Sequence, residues 1–387
     1  MASHPYPPIK HLEKTFQVAF LGGSYRSAIG RTHRIAIEMD HRFKLVAGCF
    51  SRSAERNSES ADAYGIDTSR LYPSLAQMLE SEKGRIDAVL ILTPTDQHKD
   101  DVLACFAAGL PVICEKSLAT STADANAIRL AQEKHNGFLA VTYNYSGYPM
   151  VRELRQKIAS GELGRILQIQ CEMPQESFIS LDAAGAPKTP QAWRLHDGKI
   201  PTVSLDLGTH LHSLVYFLTA QHPLRVVAQS SSLGNFSQVI DTVSCLIRYS
   251  ADIDCTFWYS KAALGQRNGL KVRVFGEKGS AEWLQETPEM LITADNRGNR
   301  CILDRASGNI EEANEDRYTR FKAGHPAGFI EAFANYYQDV ADALGDHIKQ
   351  QGQPNPYVFG IDEASEGLLL FEAVQTSAQE QRWVDLP

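Results

Sequence analysis

The 387-residue chain has few features that tie a protein to a special environment. None of its seven cysteines (49, 105, 114, 171, 245, 255 and 301) forms a C-x-x-C pair, and the count is odd. Most sit in apolar runs, where a free thiol behaves as a small hydrophobe. Structural roles in a reduced, cytoplasmic setting are therefore expected. There is no long basic run, and 38 basic against 46 acidic side chains give a formal charge of −8. That balance offers no general attraction to nucleic acid or to an anionic membrane. No apolar stretch reaches membrane-spanning length. The opening "MASHPYPPIKHLEKTF" has no apolar signal core and no twin arginine. Residues 1–15 read as a short flexible arm, and secretion is not expected. Repeats and low-complexity segments are also missing. What is there is 43% hydrophobic and 22% charged, ordinary for a globular protein and long enough for two domains.

The first part of the chain alternates strand and helix. "FQVAFLGG" (16–23), "FKLVAGCFS" (43–51), "IDAVLILTP" (86–94), "PVICEK" (111–116) and "FLAVTYN" (138–144) read as buried strands. Helical stretches lie between them, among them 30–40, 98–110 and 122–137. Strands that are apolar on both faces and separated by helices form a doubly wound parallel sheet. Right-handed crossovers then align all strand C-termini along one edge, where ligands bind. Lys116, the charge that ends "PVICEK", falls on that edge.

The turn after the first strand, "GGSYRSAIG", holds Gly22, Gly23 and Gly30 but places Ser24 and Arg26 between them. It departs from the G-x-G-x-x-G fingerprint and is longer. It serves equally as a plain glycine-rich turn or as a pyrophosphate cradle over the next helix N-terminus, with Gly22, Gly23, Ser24, Ala28 and Ile29 as the cofactor-binding candidates. After the second strand, "CFSRS" puts Ser51 and Arg52 where a carboxylate would grip the ribose of NAD. A guanidinium there suits the extra phosphate of NADP, so the reading is NAD or NADP with a lean to NADP.

From about residue 146 the rhythm changes. Successive strands at 165–175, 225–233, 243–250, 252–260, 270–284 and 289–295 suggest an open, mostly antiparallel sheet in an α+β domain. Long helices at 325–345 and 361–381 close the chain. The expected division is an arm at 1–15, a dinucleotide-binding domain at 16–145 and a substrate-binding and oligomerisation domain at 146–387, with the site in the cleft between. A homodimer or homotetramer is expected, because an exposed sheet face needs cover. Within the helix expected at 203–219, Asp206 and His210 share a face at i, i+4. On pattern alone the two either cap each other or face a cleft. No metal site is expected, since no third ligand accompanies them.

Taken in order, "VAFLGG", "LVAGCFSRS", "DAVLILTPTDQH", "GLPVICEKSLA", "TYNYSGYPMVRELRQKIASGELGRI", "SLDLGTHLHSLVYFL" and "VFGEKGSAEW" resemble the glucose–fructose oxidoreductase/inositol dehydrogenase/rhizopine-catabolism (Gfo/Idh/MocA) family. The resemblance covers nearly the whole chain after the first fifteen residues. It implies NAD(P)-dependent hydride transfer at a carbinol or ketone of a sugar, cyclitol or sugar derivative. By the same resemblance Lys116 is the family's Glu-Lys lysine, and Asp206 and His210 its D-x-x-x-H pair. His210 then takes the hydroxyl proton, Lys116 polarises the oxygen, and Asp206 binds a neighbouring hydroxyl or orients His210. Thr93, Pro94, Thr95 and His98 are implied on the nicotinamide side and Glu115 at the cofactor ribose. Asn144 and Tyr145 lie at the last strand's exit, where either ligand is within the implied reach, Asn144 being assigned to the cofactor and Tyr145 to the substrate. Trp193 and Arg194 are implied substrate contacts.

Two departures stand out. Ser117 occupies the place of the proline expected after Glu-Lys, often preceded in the family by a cis bond; with serine either the turn differs or its surroundings enforce that geometry. Ser24 and Arg26 alter the first turn. Two other activities compatible with the same residues are redox-neutral, NAD-assisted glycoside cleavage and non-catalytic regulation through a bound dinucleotide.

Overall fold

The computed structural model describes residues 14–351 and 354–387. Most of the expected arm, residues 1–13, therefore lies outside the described residues. Five strands, β1 (Phe16–Gly22), β2 (Phe43–Cys49), β3 (Ala88–Leu92), β4 (Val112–Cys114) and β5 (Leu139–Val141), alternate with α1 (Ala28–Met39), α2 (Ala54–Tyr64), α3 (Leu75–Ser81), α4 (Thr95–Ala107) and α5 (Thr122–His135). The strands pair in parallel in the order β2-β1-β3-β4-β5. Every residue of β3 is buried, as expected of a strand covered on both faces. Local chemistry sets the helix ends. Ser121 caps α5 by accepting from the Asp124 amide, and Asn136 ends it in the left-handed region. Strand order reverses between β1 and β3, which opens a crevice at their C-terminal ends.

The second part comprises α6 (Pro149–Ala159), β6 (Ile166–Pro174), α7 (Thr209–Thr219), β7 (Pro223–Ser231), β8 (Thr242–Tyr249), β9 (Ile253–Ser260), β10 (Lys271–Gly276), β11 (Gly279–Leu284), β12 (Leu291–Asp295), β13 (Arg300–Leu303), α8 (Phe329–Lys349), α9 (Ile361–Glu380) and β14 (Val384–Asp385). Nine strands form one sheet, β13-β12-β11-β10-β6-β9-β8-β7-β14. Its pairs are antiparallel except β6 with β9. Strands β13 and β14 were not expected. The first exposes three of its four residues and the second has only two, so neither leaves an apolar signature.

Helix α8 crosses back. Phe333, Tyr336, Tyr337, Val340 and Leu344 pack in one apolar cluster with Phe16, Phe20, Phe43, Leu90 and Ile113. The helix thus covers a face of the first sheet although it follows the second in sequence. A buried ion pair adds to the seam. Arg152 of α6 donates at 2.5 Å to Asp339 of α8, and neither side chain is more than 1% exposed.

The helix expected at 203–219 is two pieces. Residues Ser204–Gly208 form a π turn, with the Thr209 amide donating to the Ser204 carbonyl, and α7 follows. A π turn takes more than 3.6 residues, so residues four apart across it no longer stack.

Candidate active site

At the C-terminal edge of the parallel sheet lies a groove of about 860 Å³. Its glycine-rich end is shaped by backbone. Gly22 has φ +78°, a region that L side chains rarely adopt. A Cβ on Gly30 would lie 2.1 Å from the Gly23 carbonyl oxygen, so only glycine lets α1 approach the turn this closely. The N-cap of α1, Ser27, makes no side-chain cap bond and the first turn carries no acid. The Ser27 amide itself donates to the Ser24 carbonyl, which leaves the amides of Ala28, Ile29 and Gly30 to face an anion such as a pyrophosphate. These features fit a dinucleotide.

Of the expected cofactor residues, Gly22, Gly23, Ser24, Ala28, Ile29, Ser51, Arg52, Thr93, Pro94, Thr95, Glu115 and Lys116 all line this groove. Arg52 is exposed there. Arg26 points away and pairs with Glu59. Two residues depart from expectation. His98 does not line the groove; it is buried, with Nδ1 2.8 Å from the Ser117 carbonyl oxygen and Nε2 2.8 Å from that of Thr93. It braces the two strand-end loops against each other from beneath. Asn144 lines not the groove but a second, smaller cavity. The short helical turn after β5 carries it past the cofactor edge.

That smaller cavity, about 220 Å³, shares Ile29, Glu115, Lys116, Arg194 and Asp206 with the groove. Tyr145, Met173, Gln175, His210, Asn268 and Phe329 also line it. Trp193 lies on the groove side and stacks on Arg194, whose guanidinium carbon is 4.7 Å from the ring centroid. Tyr145 accepts from Asn268 at 3.1 Å, and burial pushes its phenol up to about 12.

The Lys116 ammonium donates to Asp206 Oδ1 at 2.9 Å and to the Asp206 carbonyl at 2.8 Å. Asp206 Oδ2 accepts from Lys261 at 2.6 Å and from Arg194. Burial opposes the charge on Asp206, but Lys116, Lys261 and Arg194 together hold its carboxyl well below the usual range. Asp206 does not bond His210, the alternative left open by the i, i+4 spacing. The π turn has rotated the carboxylate toward the cations. The His210 ring lies edge-on to Tyr145, centroids 4.7 Å apart, and its Nδ1 is buried without a partner among the described residues. Burial first, then the Lys116 charge, push its imidazole well below its usual value, so it is neutral.

The turn after Lys116 is held without proline. The Lys116–Ser117 peptide is cis, and the Ser117 hydroxyl donates to the Leu205 carbonyl. Glu115 is drawn inward: its Oε1 lies 2.8 Å from His33 Nε2 and accepts from Thr142, while His33 Nδ1 bonds the Tyr337 hydroxyl. Neither His33 nor Lys261 was anticipated. Lys261 follows β9 as Lys116 follows β4, and that strand-end charge was the available signal. In a mostly antiparallel sheet, however, no topological rule singles out one strand end.

Among the described residues no group of three or more His, Cys, Asp or Glu is placed to hold a metal ion, and no helix is long and apolar enough to cross a membrane.

Residues 16–143 match the family described as "Oxidoreductase family, NAD-binding Rossmann fold", and residues 151–282 match the GFO/IDH/MocA C-terminal domain. The oxidoreductase YfiI of Bacillus subtilis is 29% identical, over 97% of this chain and 98% of the relative. An oxidoreductase from Pseudomonas syringae is 30% identical with a TM-score of 0.85, covering 96% of this chain and 100% of that one. An inositol dehydrogenase homologue from Azotobacter vinelandii, solved with NADH and myo-inositol, is 29% identical with a TM-score of 0.86, covering 97% and 98%. Fold, strand-end groove and both matched domains agree: the chain belongs to the GFO/IDH/MocA family of oxidoreductases.

Proposed function

We propose that the protein moves a hydride between a nicotinamide cofactor and a secondary carbinol or ketone of a sugar, cyclitol or sugar derivative. The observation that carries this reading is the wall of the smaller cavity. There Lys116 meets two residues with buried polar atoms that have no partner among the described residues, His210 (Nδ1) and Asn144 (Nδ2), beside the dinucleotide-shaped groove. Buried polar groups normally find partners, so such a wall suits a ligand dense in hydroxyl groups. The myo-inositol held in the structure of the Azotobacter relative belongs to that class.

The nicotinamide, when bound, supplies the hydride acceptor or donor. The chain's own residues handle the proton and the charge. The neutral His210 ring takes the hydroxyl proton in the oxidative direction. The Lys116 ammonium faces the same cavity and stabilises the alkoxide character that develops on the oxygen. Asp206, held by three cations, anchors Lys116 rather than binding a substrate hydroxyl. Asn144 offers an amide donor to a second hydroxyl. Glycines 22 and 23 with the first amides of α1 bind the pyrophosphate, and Thr93, Pro94 and Thr95 border the nicotinamide.

No carboxylate follows β2 in the groove wall, and Arg52 is exposed there without an ion-pair partner among the described residues. This favours NADP over NAD. The outward face of the nine-stranded sheet leaves Leu246 and Ile302 exposed, which supports a homodimer or homotetramer, to be read by light scattering. The free state of all seven cysteines, six of them buried, supports a reducing, cytoplasmic setting.

The test is turnover on a panel of sugars and cyclitols, followed at the reduced-nicotinamide absorbance. Lys116→Met is expected to lower kcat by roughly 10²–10⁴-fold, the scale of a lost acid/base group. Turnover near that of the wild type in this variant overturns the role of Lys116. Glycoside cleavage without net absorbance change would favour the redox-neutral alternative instead.

A further inference from the structure

We propose that Lys261 is a positioning residue of this active centre: acting through Asp206, it sets how firmly Lys116 is held away from the substrate oxygen. The inference rests on the role of Lys116 given above. Lys261 follows the last residue of β9, and its side chain is 1% exposed. It lines neither the groove nor the smaller cavity, so it is not placed to touch substrate or cofactor. Its backbone amide donates to the Asp241 carbonyl at 2.8 Å, and its ammonium sits 5.6 Å from the centroid of the Phe178 ring. Its one carboxylate partner among the described residues is Asp206 Oδ2, at 2.6 Å.

Asp206 is thus one negative charge among three positive ones arriving from three parts of the fold. Lys116 comes from the turn after β4, Arg194 from the loop before the π turn, and Lys261 from the end of β9. The Asp241 carboxylate nearby is occupied by the amides of Leu233 and Gly234 and by the Thr242 hydroxyl. The cations share Asp206, so each weakens the others' hold on it. A buried ammonium without a competing partner would bind the carboxylate more tightly. Neutralising Lys261 therefore leaves Asp206 with two cations and strengthens its grip on Lys116. Lys116 is then less free to follow the substrate oxygen as negative charge develops there. Burial pushes the Lys261 ammonium down to about 8 against the pull of Asp206, so this neutralisation falls in an accessible range.

The test compares the wild type with Lys261→Met and Lys261→Arg. In the wild type kcat is expected to fall above about pH 8. Lys261→Arg keeps its charge there and should hold kcat level to about pH 10. Lys261→Met should be about 10-fold slower at pH 7, with no break near pH 8 and an unchanged cofactor KM. A purely structural lysine would alter stability but leave the shape of the profile alone. A wild-type profile shape in both variants overturns the proposal. A second readout needs no substrate. With ¹³Cε-labelled lysine, the resonance missing from Lys261→Met should titrate near pH 8 in the intact protein, and lower still in Asp206→Asn. A midpoint above about 10 overturns the proposal. If the wild type turns over no polyol or sugar, the function proposed above fails, and the titration still decides the Lys261–Asp206 coupling.

Discussion

The Ser117 hydroxyl donates a 2.7 Å hydrogen bond to the carbonyl oxygen of Leu205, so the residue after Lys116 is tied directly to the π turn that carries Asp206. A proline at that position has no donor and makes no such tie. Thr209 also donates to the Leu205 carbonyl, at 2.9 Å, so the carbonyl keeps one partner if Ser117 is lost. Ser117→Ala is expected to cost about 1 kcal/mol in urea unfolding, the net worth of one buried hydrogen bond. Because the bond spans the two reacting elements, kcat should fall several-fold while cofactor affinity holds. Unchanged stability and unchanged kcat would together count against this tie.

Arg52 should decide the cofactor. Removing it as Arg52→Ala is expected to raise the KM for NADP about 10-fold or more, the value of a charge-assisted phosphate contact, and to change that for NAD little. Steady-state kinetics with both cofactors measure this. Equal effects on the two would mean that Arg52 does not contact a 2′-phosphate.

Asp206 makes stability depend on acid. Its carboxyl is depressed in the folded protein, so the unfolded state binds protons first as pH falls. The stabilisation is complete above the unfolded value of about 4 and is lost as pH drops toward the folded value. The urea midpoint should therefore fall as pH drops below about 4, and less steeply in Asp206→Asn. That variant should also be less stable at pH 7 by about 3–5 kcal/mol, since three cations then lack their anion. A variant whose acid slope equals that of the wild type would contradict the coupling.

Asp339 joins the two sheets' helices. It accepts from Arg152 and, on its other oxygen, from Arg317 at 2.6 Å. Arg152 is buried and also donates to the Ser146 carbonyl and to the Tyr318 hydroxyl. Asp339→Ala strands the guanidinium and should cost about 3–5 kcal/mol in denaturant unfolding. A loss below about 1 kcal/mol would mean that water reaches Arg152 and replaces the pair.

Much of the cofactor edge was legible because parallel strands obey a chirality rule. Once β1 to β5 are found by their apolar runs, Gly22, Ser51, Thr93 and Lys116 must share one edge. The π turn was not legible. An apolar run with period near 3.6 looks the same whether or not one turn is widened, so the i, i+4 spacing of Asp206 and His210 suggested a contact that the turn removes. That Asn144 lines the smaller cavity was not legible for a similar reason: the short turn after β5 leaves no hydrophobic signature.

By itself, the sequence determined the strand–helix alternation, the parallel sheet, the groove edge and the family resemblance, because each is written in local periodicity and in residue order. Only the tertiary structure decided that Asp206 lies among Lys116, Arg194 and Lys261, that His98 braces loops instead of lining the groove, and that α8 returns to the first sheet. Those outcomes depend on contacts between residues from 5 to 300 positions apart. Such contacts are set by packing and by the pairing of buried charge, and neither leaves a mark on the local pattern of the chain.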